Sequence, residues 1–547
     1  MTPADWQLRA APAALERRYL AEGWWTDDSL GTLLSHGLTR GAALDFRIHS
    51  DSRPWSGTLG DVHALARRLA AGLRARGVAP GDAVAFQLPN WVEAAATFWA
   101  VSFLGAVVVP IVHFYGPKEV GYILRRTGER ALVTASRFGH VDYLANLDAL
   151  RPDLPELELV VLVGDDERDT PRGAIPFADM VAGDALDAPL PVDPSSPALV
   201  AYTSGTTSDP KGVVHSHRTI ASEIRQLGAV QPGPNDPPPL VGAPVGHGIG
   251  MLAALLIPVY RGQAIHLIDV WDPAVVLATM VRDRVTAGSG ATFFLTSLLD
   301  HPDFGPEHRA LMRHIGLGGS PVPRAVAERA TSLGISIVRS YGSTEHPSIT
   351  GGRHDMPLEK RLSTDGRPLP GVEIRLVDDD GKDVGGGTPG EIISRGPDCF
   401  VGYTDPALTR TVFDADGWYR TEDVGVLDDD GYLAIVDRKK DIIIRGGENV
   451  SALEVEELLL RMPGVAEAAV VAAPDERLGE HACAFLRALP GANLPDLPAV
   501  RAHLDRAGLA RQKWPEDVRP IDEFPRTASG KVQKFVLREQ LRLENQS

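Results

Sequence analysis

A chain of 547 residues is too long for one compact core, so two or more domains are expected. Its apolar share of 44% and charged share of 23% are those of a globular protein, and a net charge of −17 excludes partners that need a basic surface, nucleic acid and anionic membrane among them. Two widely separated cysteines, Cys399 and Cys483, fall outside any C-x-x-C spacing and point to a reducing, cytoplasmic setting without a metal cluster.

The first twenty residues lack the basic-then-apolar order of a secretory signal. Residues 58–77 (TLGDVHALARRLAAGLRARG) have the spacing of an amphipathic helix with a glycine stop, and DAVAFQLPN then reads as a strand. The apolar run 94–112 approaches membrane-spanning length, but Gly105 and Pro110 interrupt it and its tail is β-branched. A buried helix running into a buried strand is the expectation, with no membrane span. ALVTAS, ELVVLVG, ALVAYTS, QAIHLID, HIGLGGS and ISIVRSYG follow as short strands separated by helical stretches, the alternation of α/β layers around buried sheets. QPGPNDPPPL reads as a surface loop.

After residue 366 the pattern changes. VEIRLVDDDGKDV, GEIISRG and GYLAIVDR alternate with Asp-Gly turns, as in a small antiparallel, barrel-like β unit over 366–436. A compact tail then follows with strands of its own (VAEAAVVAAP, HACAFLRA) and helices (ALEVEELLLRM, LPAVRAHLDRAG). The expected fold class is multidomain α/β. Residues 1–436 form the large layered domain, 437–441 the junction, and 442–547 a small α+β domain.

Positive charge in this chain is mostly arginine. Only nine of the 55 basic residues are lysine, and Lys211, Lys439, Lys440, Lys531 and Lys534 fall in three short segments. Where an arginine-rich chain keeps lysine, a compact and flexible point charge is the candidate reason. The first of those segments, TSGTTSDPKG (203–212), packs five hydroxyls, two glycines and a lysine into ten positions, with nothing to bury. Its spacing is wrong for a Walker loop, and β-branched residues rather than a helix follow it. Backbone amides and hydroxyls on a loop between two strands can still hold phosphate oxygens.

This loop resembles the phosphate loop of the AMP-forming acyl-CoA synthetases, in the adenylate-forming superfamily. Ser208 stands where that family usually has glycine. YGSTEHPS (341–348), GWYRTEDVG (417–425), DRKKDIIIRGGENVSALEVEE (437–457) and PRTASGKVQK (525–534) resemble the family's later motifs, in the family's order. The resemblance implies that ATP and a carboxylic acid form an acyl-adenylate with loss of pyrophosphate, and that coenzyme A then displaces AMP. Two anions meet in the first step, so preorganised cations and donors are its main requirement.

Residue roles follow from the same resemblance. Lys531 corresponds to the adenylation lysine, Glu345 to the carboxylate that faces Mg²⁺, and Thr344 to a donor toward the AMP phosphate. Thr203, Ser204, Gly205, Thr206, Thr207 and Lys211 would hold phosphates. Gly318, Gly319, Ser320, Tyr341 and Gly342 would flank the adenine, while Asp423 and Arg438 would take the ribose. Lys440 matches a hinge about which the tail is expected to rotate after adenylation, bringing Gly446 and Gly447 up as a narrow wall beside the pantetheine arm. His247, Gly248 and Gly250 fall in the segment that lines the acyl pocket. No acidic residue lies between Val241 and Ile268 to pair with an amino group, which favours a neutral-bodied aliphatic or alicyclic acid. The small residues Gly248, Gly250, Ala253 and Ala254 are expected to leave it room. The implied partners are ATP, Mg²⁺, coenzyme A and the acid, and a homodimer stays open. A carrier-protein thiol in place of coenzyme A, and a non-catalytic nucleotide-binding module, are the competing readings.

Overall fold

The computed structural model describes residues 5–164, 173–203, 210–230, 236–446, 448–475, 477–527 and 530–545. Helix Leu59–Ala75 starts where Thr58 Oγ1 accepts from the amide of Asp61 and Asp61 returns the bond to the Thr58 amide, a reciprocal cap. The apolar run resolves into helix Val92–Phe103, buried on every side, and the equally buried strand Val107–Ile111. A helix apolar all round belongs inside a protein or a membrane, and at twelve residues this one is a core helix. No helix among the described residues is long and apolar enough to cross a membrane.

The central sheet has eight strands, in the order Gly402–Tyr403, Lys211–Ser216, Pro197–Thr203, Val107–Ile111, Ala83–Gln87, Ala131–Ala135, Leu159–Val163 and Ala174–Pro176. From Pro197–Thr203 to Ala174–Pro176 the neighbours run parallel, and the two strands at the other edge are antiparallel. A second sheet joins Leu240–Val241, Ile265–Ile268, Asp45–His49 and Trp55–Thr58, and a third joins His314–Leu317, Ser336–Tyr341, Thr350–Gly351 and Arg367–Pro368. In the central sheet the strands Ala83–Gln87, Val107–Ile111, Ala131–Ala135 and Leu159–Val163 are buried along their whole length, as a parallel sheet covered by helices on both faces requires.

The β-rich stretch forms an antiparallel sheet of Glu373–Val377, Gly390–Arg395, Tyr419–Leu427 and Leu433–Arg438. It is not a self-contained unit, because Gly402–Tyr403 leaves it to pair with Lys211–Ser216 at the edge of the large sheet. The tail builds its own sheet around the long hairpin Val465–Asp475 and Gly479–Ala488, with Asp517–Pro520 alongside, and has its own core around Val455, Val470, Leu486 and Leu504.

Candidate active site

The hydroxyl-rich loop joins two antiparallel strands, with Thr203 opposite Lys211 at its base. Ser204, Gly205, Thr206 and Thr207 lie outside the described residues. Lys211 Nζ stands 5.7 Å from the ring centre of Tyr403. The Tyr403 hydroxyl donates to Glu345 Oε1 at 2.8 Å, and the Phe400 amide donates to the Glu345 carbonyl at 2.8 Å. Cation, ring and carboxylate are thereby brought together. His215, from the same strand as Lys211, donates through Nε2 to the Thr344 carbonyl at 2.7 Å, and burial pushes its pKa down to about 4, so it is neutral. Sequence reasoning overlooked Tyr403 and His215. Each looks like an ordinary aromatic or polar residue in a strand, and only the fold brings it to Thr344 and Glu345.

On the nucleotide side, the strand ending at Leu317 turns through Gly318, Gly319 and Ser320. Side chains at either glycine would collide: a Cβ on Gly318 would overlap Ser340 Oγ, and one on Gly319 (φ +74°) would stand 2.6 Å from Ile249 Cδ1. Ser320 Oγ accepts from the Thr292 amide at 3.4 Å. Tyr341 ends the neighbouring strand, and its hydroxyl donates to Asp423 Oδ2 at 2.7 Å. Arg438 Nε lies 3.1 Å from Asp423 Oδ1, from a position directly opposite on the adjacent strand. Glu422, beside Asp423, holds φ +63°, a conformation rare for a residue with a side chain and most often found at functional sites.

Lys531 arrives from the tail. Its loop is pinned by Thr527, whose amide donates to the Lys531 carbonyl at 2.8 Å while its Oγ1 accepts from the Lys531 amide at 3.2 Å. The loop lands on residues 291–293: a Cβ at Gly530 would stand 3.5 Å from Phe293 Cβ, and Arg526 Cζ lies 5.6 Å from the Phe293 ring centre. Residues 291–293 directly follow Gly290, which is hydrogen-bonded to Gly316 and Gly318, so the tail reaches the edge of the Gly318–Ser320 turn. Burial, then the Arg438 guanidinium, lowers the Lys531 pKa to about 7, and Lys440 adds to this while Asp423 and Asp441 oppose it. Asp441 is already committed to Arg538 at 2.7 Å. The cluster is therefore richer in cations than in free carboxylates.

Lys440 sits between two anchored neighbours. Lys439 binds Glu391 at 3.0 Å and Asp379 at 3.1 Å in the large domain, and Asp441 binds Arg538 in the tail. Ser451 Oγ, the cap of helix Ala452–Leu459, donates to Asp437 Oδ2 at 2.9 Å, a second tie across the junction. Gly446 takes φ +59° with its amide on the Leu478 carbonyl at 2.8 Å, and Gly447 lies outside the described residues.

On the acyl side, His247 caps a short helical turn by accepting from the Ile249 amide at 3.4 Å, and burial lowers its pKa to about 4. Beyond Gly250 the chain takes a π-helical turn, Met251–Leu256, a form that recurs at functional sites. A Cβ on Gly248 would meet no atom within 4 Å, so there is space here. Gly250 differs from the expectation: a Cβ would overlap the Pro244 carbonyl oxygen, so its smallness serves backbone packing. Ala254 is likewise enclosed by the core. Ile249 faces Gly319 and Gly290, and Trp271 packs edge-on to Phe294 at 4.7 Å behind them.

Among the described residues no group of three or more His, Cys, Asp or Glu could hold a metal. A single buried carboxylate with one oxygen fixed by Tyr403 suits Mg²⁺, which keeps most of its waters and takes phosphate oxygens as further ligands.

Residues 48–404 match the AMP-binding enzyme family, and residues 454–531 match the AMP-binding enzyme C-terminal domain. The chain is 34% identical to the medium-chain fatty-acid–CoA ligase of Escherichia coli over 96% of its own length and 92% of that protein. It is 37% identical to a 3-[(3aS,4S,7aS)-7a-methyl-1,5-dioxo-octahydro-1H-inden-4-yl]propanoyl:CoA ligase of Rhodococcus jostii, over 88% of this chain and 93% of that one. ATP-bound MatB from Rhodopseudomonas palustris superposes with a TM-score of 0.83 at 29% identity, covering 93% of this chain and 98% of MatB. The chain belongs to the AMP-binding enzyme family, as an AMP-forming acid–CoA ligase that uses ATP, Mg²⁺ and coenzyme A.

Proposed function

We propose that this ligase acts on a neutral-bodied aliphatic or alicyclic acid and that its residues divide the labour as follows. Lys531 is the catalytic cation of adenylation, offsetting the negative charge that builds as the carboxylate attacks the α-phosphate. Arg438 and Asp423 hold the ribose end, Tyr341 and the Gly318–Ser320 turn flank the base, and Gly342 allows the following turn. Thr203 and Lys211, with the intervening loop, hold phosphate oxygens. Thr344 donates to the AMP phosphate, and Glu345 holds Mg²⁺, which when bound neutralises phosphate charge. Lys440 is the pivot that later withdraws Lys531 and presents Gly446 and Gly447 to the pantetheine arm. His247, neutral and half-buried beside the space at Gly248, borders the acyl group.

The observation that carries this reading is the placement of Lys531, an ammonium from the tail set beside Arg438 and Asp423. The acid class is supported by the absence of a carboxylate along the acyl segment and by relatives named for fatty and alicyclic acids. Pyrophosphate release tests it across straight-chain, alicyclic, aromatic and amino acids, with coenzyme A or a phosphopantetheinyl carrier protein as acceptor. Aliphatic or alicyclic acids are expected to turn over fastest, with AMP release stimulated by coenzyme A. Preference for an amino acid, or stimulation by the carrier protein alone, contradicts the reading.

A further inference from the structure

Thr344 and Glu345 ride on a tight turn. A Cβ at Gly342 would overlap the Pro347 carbonyl oxygen, and the turn's own polar bonds are few: the Ser343 amide to the His346 carbonyl at 3.0 Å, and the His346 amide to Ser343 Oγ at 3.3 Å. His215, Tyr403 and the Phe400 amide hold Thr344 and Glu345 directly, and behind the turn stands a buried polar network that the reaction itself does not use. His346, with no exposed surface, places Nδ1 2.8 Å from Ser394 Oγ and Nε2 3.2 Å from Asp398 Oδ1. Two residues further on, Ser348 Oγ donates to Glu223 Oε1 at 2.7 Å from helix His217–Val230. Glu223 lies against Asp398, and burial together with that neighbouring carboxylate holds the Glu223 pKa well above its ordinary value, so the protonated Glu223 carboxyl can donate to Asp398. Gly396 makes the arrangement possible, since a Cβ there would stand 2.8 Å from His346 Nε2 and 2.9 Å from Asp398 Oδ1.

If packing were the only need, apolar side chains would fill this space at lower cost, because buried charged groups lose hydration that their pairing barely restores. What the polar network adds is direction. Hydrogen bonds fix His346 along two axes, and the Phe400 amide, two residues past Asp398, fixes the Glu345 carbonyl. A carboxylate meant for a metal has to be held within about 0.5 Å of its working place.

We propose that His346 and Asp398 are positioning residues that set the Thr344–Glu345 turn for metal-bound ATP, with Ser394, Glu223 and Ser348 holding the pair in place. This rests on the reading of Glu345 as the carboxylate that faces Mg²⁺. Neither residue touches the reacting atoms; their effect passes through the backbone of the turn.

Calorimetry separates this role from a purely structural one. ATP is titrated into the full chain with Mg²⁺ and with a chelator, and the metal-dependent gain in affinity is taken for the parent, Asp398→Asn, His346→Gln and Ser394→Ala. Asp398→Asn should lose that gain by about 10–100-fold, the scale found when partners behind a metal ligand are removed, and acid-dependent ATP–pyrophosphate exchange should fall with it. His346→Gln, whose amide can still reach Asp398, should lose less of the gain than Asp398→Asn. Ser394→Ala, the mildest change, should show the same pattern at smaller size, and keeps the test decisive if Asp398→Asn does not fold. A folded Asp398→Asn or Ser394→Ala protein with the parent's metal-dependent gain overturns the inference, as does an equal loss of ATP affinity with and without metal. Glu345→Gln run alongside tells the two failures apart. If it too keeps the gain, the reading of Glu345 fails; if it loses the gain while Asp398→Asn keeps it, only the positioning role fails.

Discussion

Lys531 shows how far a single residue can be read. Its sequence context, a small-residue loop in an arginine-rich chain, marks it as a point charge set apart from the rest. What the sequence could not carry is the company it keeps: Arg438 and Lys440 are some ninety residues away along the chain, in the junction itself. That company has a consequence for pH. Burial and the neighbouring guanidinium lower the Lys531 pKa to about 7, so in the free enzyme the ammonium is charged below that pH and lost as pH rises through it. The kcat/KM of adenylation for ATP should therefore fall above about pH 7. Bound phosphates favour the charged form, so the alkaline limb of kcat should lie at higher pH. A kcat/KM profile flat up to the ordinary lysine range of about 10 contradicts the assignment. Tyr403 and His215 were illegible for the same reason. Each acts by a hydrogen bond to a partner more than fifty residues distant, and no local pattern encodes that pairing.

At the scale of elements, periodicity and punctuation sufficed wherever burial was uniform. The alternation of β-branched runs and helical stretches matches the parallel strands of the central sheet, and the Asp-Gly turns fall between antiparallel strands of the β-rich stretch. The edge strand Gly402–Tyr403 escaped, because two residues are too short for a period to show, and its pairing with Lys211–Ser216 is non-local. The meaning of small residues was also hidden. Gly248 and Gly250 look alike in sequence, yet one borders space and the other backbone. The glycine that opens the Thr344–Glu345 turn is a sharp case. Gly342→Ala would force a Cβ into the Pro347 carbonyl, an overpacking that costs about 1–3 kcal/mol. A lowered midpoint of thermal unfolding, together with loss of ATP–pyrophosphate exchange, is the expected result. Gly183→Ala, whose Cβ would meet no atom within 4 Å, should change neither.

Across the whole molecule, the proposed mechanism asks the large domain for a set of mutually bonded side chains and the tail for the charge of Lys531. Tyr341, Asp423 and Arg438 are locked to one another by hydrogen bond and ion pair, whereas Lys531 approaches on a loop that rests on Phe293 and Ala291. Between them the junction is anchored on both flanks, by Lys439 to Glu391 and by Asp441 to Arg538, with Lys440 between the two anchors. Five separated motifs made the family resemblance legible in the sequence, but that the tail lies against residues 291–293 is knowledge that only the structure holds. The account turns on whether that docked ammonium serves one half of the reaction. The direct measurement takes Lys531→Ala and follows the two half-reactions separately: acid-dependent ATP–pyrophosphate exchange, and acyl-CoA formation from supplied acyl-adenylate and coenzyme A. Exchange should drop by about 10²–10³-fold, the scale of losing one donor to a transition-state charge, while the second half-reaction stays within a few-fold of the parent. Exchange at the parental rate, or an equal loss in both halves, would contradict it.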